Sequence, residues 1–377
     1  GLTAGATEAR QREDEHKHIP APAEPAAEAS LRQSVSEGDT GAMVMLGLYL
    51  GSQSGSDEIV PAETLQLWTR AADAGQPLGA YLVGMTHSRE RIESPDPVRA
   101  RHYLSLAVAG GVRWAAQPYM AMLSQGEGGP VDQAEAERLF PFAAAQYVRQ
   151  TGDSDHNSIA ALRVAAHLPE WTQAPLVPVV AGETDHMRLA LTLLATGNDA
   201  AAREQAQQHL TLAADAGDVN AQVAMAVLLA SDHDNPTSIS RSFGYARRAA
   251  AQGDSDALFQ LGATLCACTM EKDRIVRGLT MLDLASQHGS LGALAQYAAM
   301  ADMVDPQWVT IARQQARECN EQGIEQCGIL DAPFPDEKPV PQISNPDMIA
   351  SARRGIPQTV LKMRGGQPVV VATSAAK

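Results

Sequence analysis

The sequence is short of aromatic residues: Phe, Trp and Tyr together make up 4% of its 377 residues, although 45% are hydrophobic. The apolar weight therefore falls on Ala, Leu, Val and Met, and Ala and Leu are strong helix formers. That composition points to an all-α protein. Positive charge is also scarce, with 29 Lys and Arg against 44 Asp and Glu and a formal net charge of −15. Such a surface repels phosphate backbones, which excludes nucleic acid as an expected partner. No window of 18 residues is apolar and free of charge, so no transmembrane segment is expected.

Chemical motifs are lacking too. There is no Walker loop, GxGxxG, GxSxG or HExxH. The four cysteines form no CxxC pair and have no His at ligand spacing, which argues against zinc. Two acidic loops, Asp153-Ser-Asp-His156 and Asp232-His-Asp-Asn235, lie at expected helix junctions. There Asp and Asn ordinarily serve as caps and turns. The expectation is a non-enzyme with no cofactor and no metal.

What the sequence has in abundance is repetition. Gly38, Gly75, Gly111, Gly152, Gly182, Gly217, Gly253, Gly289 and Gly323 are spaced by 37, 36, 41, 30, 35, 36, 36 and 34 residues. A fixed period of this length signals stacked supersecondary units. Glycine suits the residue after a helix end, where the left-handed conformation is needed. Asp39, Asp153, Asp218 and Asp254 follow one residue later, as N-caps would. Small residues recur four and nine positions after most of these glycines, as in Gly79 and Gly84 or Ala257 and Gly262. A glycine inside a helix costs about 1 kcal/mol relative to Ala, so this column predicts helices crossing closely.

The period divides the chain. Residues 1–35 read as a polar, Pro-rich leader, and the stretch GLTAGATEARQRED carries neither an apolar signal segment nor an initiating Met. That is expected of a chain matured by processing or of one with added residues at its start. Residues 36–330 read as a solenoid of about eight helix-turn-helix units, with a degenerate unit near 146–182 where Pro169, Pro175 and Pro178 forbid a regular second helix. Residues 331–345 read as a Pro-rich linker. Residues 346–377 form a basic tail in which two β-branched runs around Arg364 are read as a β-hairpin.

Two phrases, AADAGDVNAQVAMAVLL and QGDSDALFQLGATL, carry a family likeness. They resemble the Sel-1-like repeat, a relative of the tetratricopeptide repeat, in a pattern that places Gly253-Asp254, Ala257 and Leu261-Gly262 in register. The resemblance implies a right-handed α-solenoid acting as a protein-binding adaptor, often in the bacterial envelope or secretory systems. It implies no catalytic residues. Cys319 and Cys327 straddle Gly323, four residues to either side, on the last turn of one helix and the first of the next. The same spacing resembles the disulfide of secreted cysteine-rich relatives; the other reading is two small buried residues. A disulfide would place the protein in the periplasm or outside the cell, the alternative being cytoplasmic. Cys266 and Cys268 point apart on a helix and read as small buried residues.

The expected partner is a protein. Tyr81, Gln222 and Phe259 share one column of the first helices and are candidate contacts, as are Arg353, Arg354, Lys362 and Arg364 of the tail. An alternative places an envelope glycan, or an enzyme's groove, at the degenerate unit, where Trp171 would stack on a sugar; the simpler reading has Trp171 covering core.

Overall fold

The computed structural model describes residues 24–53, 59–88, 94–152, 158–171, 185–197, 199–232, 234–267, 271–331, 362–364 and 367–369. Helix α1 (Glu24–Ser36) precedes the array. The first three units are α2 (Thr40–Gln53) with α3 (Ala62–Asp73), α4 (Pro77–Ser88) with α5 (Pro97–Ala109), and α6 (Arg113–Gln125) with α7 (Gln133–Ala144). A 3-10 helix (Ala145–Gly152) and α8 (Ser158–Ala165) form an irregular unit. Four more pairs follow: α9 (His186–Thr196) with α10 (Ala200–Asp215), and α11 (Val219–Ala230) with α12 (Pro236–Ala251). The last two are α13 (Ser255–Cys266) with α14 (Lys272–Gln287), and α15 (Leu291–Ala301) with α16 (Pro306–Gln322). Seven regular pairs and one irregular unit make an α-solenoid. Beyond it, Lys362–Arg364 and Gln367–Val369 pair as two antiparallel strands.

Each junction between units is built the same way. Gly38, Gly75, Gly111, Gly217, Gly253 and Gly289 all have φ between +83° and +103°. The next residue's N–H then reaches back five residues to a helix carbonyl, as from Gln76 to Ala71, Asp218 to Ala213 and Asp254 to Ala249. This satisfies carbonyls that the helix end leaves unpaired. Asp39, Asp218 and Asp254 then accept from the N–H of Ala42, Ala221 and Ala257 at 2.8–2.9 Å, capping the following helix.

The small-residue column is where helices cross. A Cβ placed on Gly79 would stand 2.8 Å from the Trp68 carbonyl and the Ala72 nitrogen. One on Gly262 would stand 3.0 Å from the Gly278 carbonyl oxygen. Here glycine is required by backbone contact and not by backbone conformation.

The core falls into two clusters. One extends from Val35 to Met122 and the other from Ala116 to Leu330. Leu294 of α15 belongs to the first, although most of its chain neighbours belong to the second. The superhelix therefore curls until its late units touch its early ones. Leu294 Cδ1 would lie 3.1 Å from a Cβ on Gly41, and Gly289 approaches the Val112 nitrogen within 2.8 Å of its Cβ position. Arg313 of α16 pairs with Asp39 at 3.3 Å.

Candidate interaction surfaces

In some units burial separates the two helices. In α4 every residue from Pro77 to Gly84 is buried, and in α11 every residue from Ala221 to Met225. The second helices are amphipathic: α3 exposes Glu63, Gln66 and Arg70, and α5 exposes Arg99, His102 and Leu106. The first helices of these units are thus enclosed, whereas in the pair α13–α14 it is the second helix that is buried without a break, from Gly278 to Leu282.

This arrangement places the candidate contacts. Tyr81 is buried at 6% exposure and belongs to the early core cluster. Gln222 is buried at 2%; its amide donates to the Ala214 carbonyl at 3.1 Å and its oxygen accepts from Gln252 at 2.9 Å. Neither side chain offers surface to a partner. Phe259 is half-buried, packed over Gly292 of α15 with its ring 3.3 Å from that glycine's Cβ position. Sharing a helical column tells which residues face the same way, not whether that face is open. Lys362 and Arg364 lie on the first of the two short strands, and Arg353 and Arg354 lie outside the described residues.

Trp171 ends the irregular unit. The Arg163 guanidinium sits 4.0 Å from its ring centroid, and Phe140 meets it edge-on at 5.1 Å. Arg163, itself only 3% exposed, grips Glu137 with two bonds of 2.9 and 2.6 Å and donates to the Pro169 carbonyl. One face of the ring is therefore taken by this cation. Trp171 packs against the late core cluster.

Cys319 and Cys327 are bonded, with sulfurs 2.09 Å apart and Cα atoms 5.0 Å apart. The bond ties α16 to the segment carrying Ile324, Ile329 and Leu330, all of which are buried. A cleft of about 480 Å³ opens beside it, lined by charges of both signs, Lys272, Asp273, Arg277 and Glu318. Cys266 is free and buried, and burial pushes its thiol up to about 12, which leaves it inert as a nucleophile. Cys268 lies outside the described residues. Asn235 and Asp232 act as the junction expected of them, Asn235 capping α12 and Asp232 accepting from Ser238 at 2.8 Å. The loop at Asp153–His156 lies outside the described residues.

Two buried polar groups went unforeseen. His186 and His209 stack with their Nδ1 atoms 2.8 Å apart, and burial, then the neighbouring His186, lowers the His209 pKa. Two nitrogens are not a metal cage, and among the described residues no three His, Cys, Asp or Glu groups gather. The second group is Arg113, the first residue of α6, whose side chain is 2% exposed. It meets Asp254 at 2.5 Å, Asp256 at 3.0 Å, the Asn220 side chain at 3.1 Å and the Phe142 carbonyl at 2.5 Å. Its guanidinium also lies 4.4 Å from the Phe142 ring centroid. Asn220, Asp254 and Asp256 belong to the starts of α11 and α13, more than 100 residues away in the chain. A signal did exist: a cation at a helix N-terminus opposes the helix dipole and needs another reason to be there.

The Sel1 repeat model matches this chain at residues 40–76, 77–112, 114–147, 186–218 and 219–254. These matches coincide with the pairs α2–α3, α4–α5, α6–α7, α9–α10 and α11–α12, and the irregular unit falls between them. Among solved structures the chain is similar to c5321, described as a protective antigen present in uropathogenic Escherichia coli strains displaying an SLR fold. The identity is 16% and the TM-score 0.30, over 88% of this chain and 80% of that one. It is also similar to a Sel1 repeat protein from Oxalobacter formigenes, at 20% identity and a TM-score of 0.29, over 78% of this chain and 89% of that one. No curated protein matches the chain.

Proposed function

The chain belongs to the Sel1-repeat family, and from that premise we propose that it is a non-enzymatic adaptor that holds a protein partner in the cell envelope. The observation that carries the reading is the run of five Sel1 repeats, since members of this family typically mediate protein–protein interaction. Stacked helix pairs supply a broad, rigid surface whose binding residues are spread over several units. The Cys319–Cys327 pair favours an oxidising compartment, hence the periplasm or the exterior. On this reading residues 331–345 are a linker, and Arg353, Arg354, Lys362 and Arg364 reach an acidic partner from the tail.

The test is cross-linking of the full-length tagged chain in intact cells, followed by fractionation and identification of what it captures. One reproducible protein partner, recovered with the chain from the periplasmic or extracellular fraction, is the expected result. Recovery from the cytoplasm with all four thiols open to alkylation would sink the envelope assignment. Enrichment of glycan fragments without any protein would sink the adaptor itself.

A further inference from the structure

The contacts between early and late units form one system. The turn at 110–112 lies against the turn at 288–289, with the Gly111 Cα packed on the His288 carbonyl. Leu294 plugs into the early core cluster beside Gly41, and Asp39 pairs with Arg313. At the centre stands Arg113, where the starts of α6, α11 and α13 converge. Three helix N-termini make this a place that repels a cation. A buried guanidinium persists there only because carboxylates pair with it, and it is costly to leave alone. Asp254 does two jobs: Oδ1 caps α13 through the Ala257 N–H at 2.9 Å, while Oδ2 takes the Arg113 guanidinium.

We propose that Arg113, with Asp254 and Asp256, is the bolt of an autoinhibitory clasp that holds the superhelix shut over its first-helix face. The groups that meet at this contact lie on first helices: Gly41 on α2, Arg113 on α6, Asn220 on α11, Asp254 and Asp256 at the start of α13, and Leu294 on α15. Opening moves units as rigid blocks about the intervening repeats, because each repeat contacts chiefly its neighbours. A partner that enters must bring an acidic group, since the guanidinium left behind by Asp254 requires a new carboxylate. This rests on the adaptor reading only in calling the enclosed face the partner's.

Hydrogen exchange by mass spectrometry on the full chain tests the clasp with no partner present, so the two readings can fail separately. The variants are Arg113→Met, of similar length but uncharged, and Asp254→Asn, which keeps a capping oxygen for the Ala257 N–H and loses the charge. Both are expected to raise exchange about tenfold in peptides covering 110–116, 255–262 and 286–297, with 236–251 unchanged. The radius of gyration from small-angle scattering should rise with it. Exchange matching the wild type in both variants overturns the proposal, and so does a uniform rise across all units. If Arg113→Met loses its helical circular dichroism, Asp254→Asn decides alone, and loss of helix there as well would make the cluster a general stabiliser and overturn the clasp.

Discussion

Set beside each other, the unit at 219–254 and the unit at 145–171 solve the same problem with different chemistry. The regular unit ends each helix pair with a glycine, opens the next helix with an aspartate and crosses its helices over small residues. Its stability is assembled from backbone contacts that any matching unit can repeat. The described residues of the irregular unit rely on other means. It opens with a 3-10 helix, ends α8 on a histidine and fills its core with a buried arginine. The lesson is that a solenoid tolerates a unit outside the pattern when specific side chains replace the generic backbone packing.

The largest effect expected is on the regular side. In Gly79→Leu the new Cβ would press on the Trp68 carbonyl and the Ala72 nitrogen, which are backbone and cannot swing away. Overpacking at such a site should lower stability by about 3 kcal/mol. Ala161→Leu, at an exposed position of α8, should change it by less than about 0.5 kcal/mol. Urea denaturation followed at 222 nm compares the two, and equal losses would erase the contrast drawn here.

The irregular unit should fail at Arg163. Replacing it by Met removes the grip on Glu137 and the cation from the Phe140 and Trp171 rings. Glu137 is a third exposed and can return to water, so the expected loss is about 2 kcal/mol, less than for a fully buried pair. Trp171 fluorescence should red-shift at the same time as its packing loosens. An unshifted spectrum would mean that the arginine covers the ring without holding it.

A smaller loss belongs to the cap. Asp218→Ala deletes the acceptor of the Ala221 N–H, 2.8 Å away, at the start of α11. About 1 kcal/mol is expected, with Asp218→Asn near neutral. A thermal melt of the three proteins orders them directly, and an Asn variant as weak as Ala would move the effect from the hydrogen bond to the charge.

The comparison also explains what could be read beforehand. Gly217-Asp218 and Gly253-Asp254 were legible because a helix end and its cap depend on two or three neighbouring residues. The facing of Cys319 and Cys327 across Gly323 was legible for the same reason, and the fold class followed from the period. Arg113 was not, because its partners at 220, 254 and 256 are brought to it only by rotation accumulated over several units. Tyr81 and Gln222 shared a visible column whose cover was not visible: Gln222 is closed in by Ala214 and Gln252 of the adjoining helices, and Tyr81 by the early core. Trp171 sat between the two cases: its apolar role could be read locally, its arginine neighbour could not.

His167 offers the finest probe of the contrast. It has φ of +53°, the left-handed region, and the N–H of Leu168 reaches back to the Arg163 carbonyl at 3.0 Å. That is the five-residue return made at every regular junction, with histidine standing where the pattern has glycine. A side chain in that conformation costs about 1 kcal/mol, and histidine is among the residues that bear it best. His167→Gly should therefore stabilise the chain, by no more than about 0.5–1 kcal/mol, since glycine also gains entropy in the unfolded state. The exposed imidazole makes no contact that such a change would forfeit in the ring described above, which involves Arg163, Glu137, Phe140 and Trp171. A higher midpoint in urea for His167→Gly would mean that the irregular unit still carries the regular unit's joint with the wrong residue in it. A lower midpoint would mean that the histidine side chain has become part of the joint, and that the unit has been rebuilt around its own chemistry.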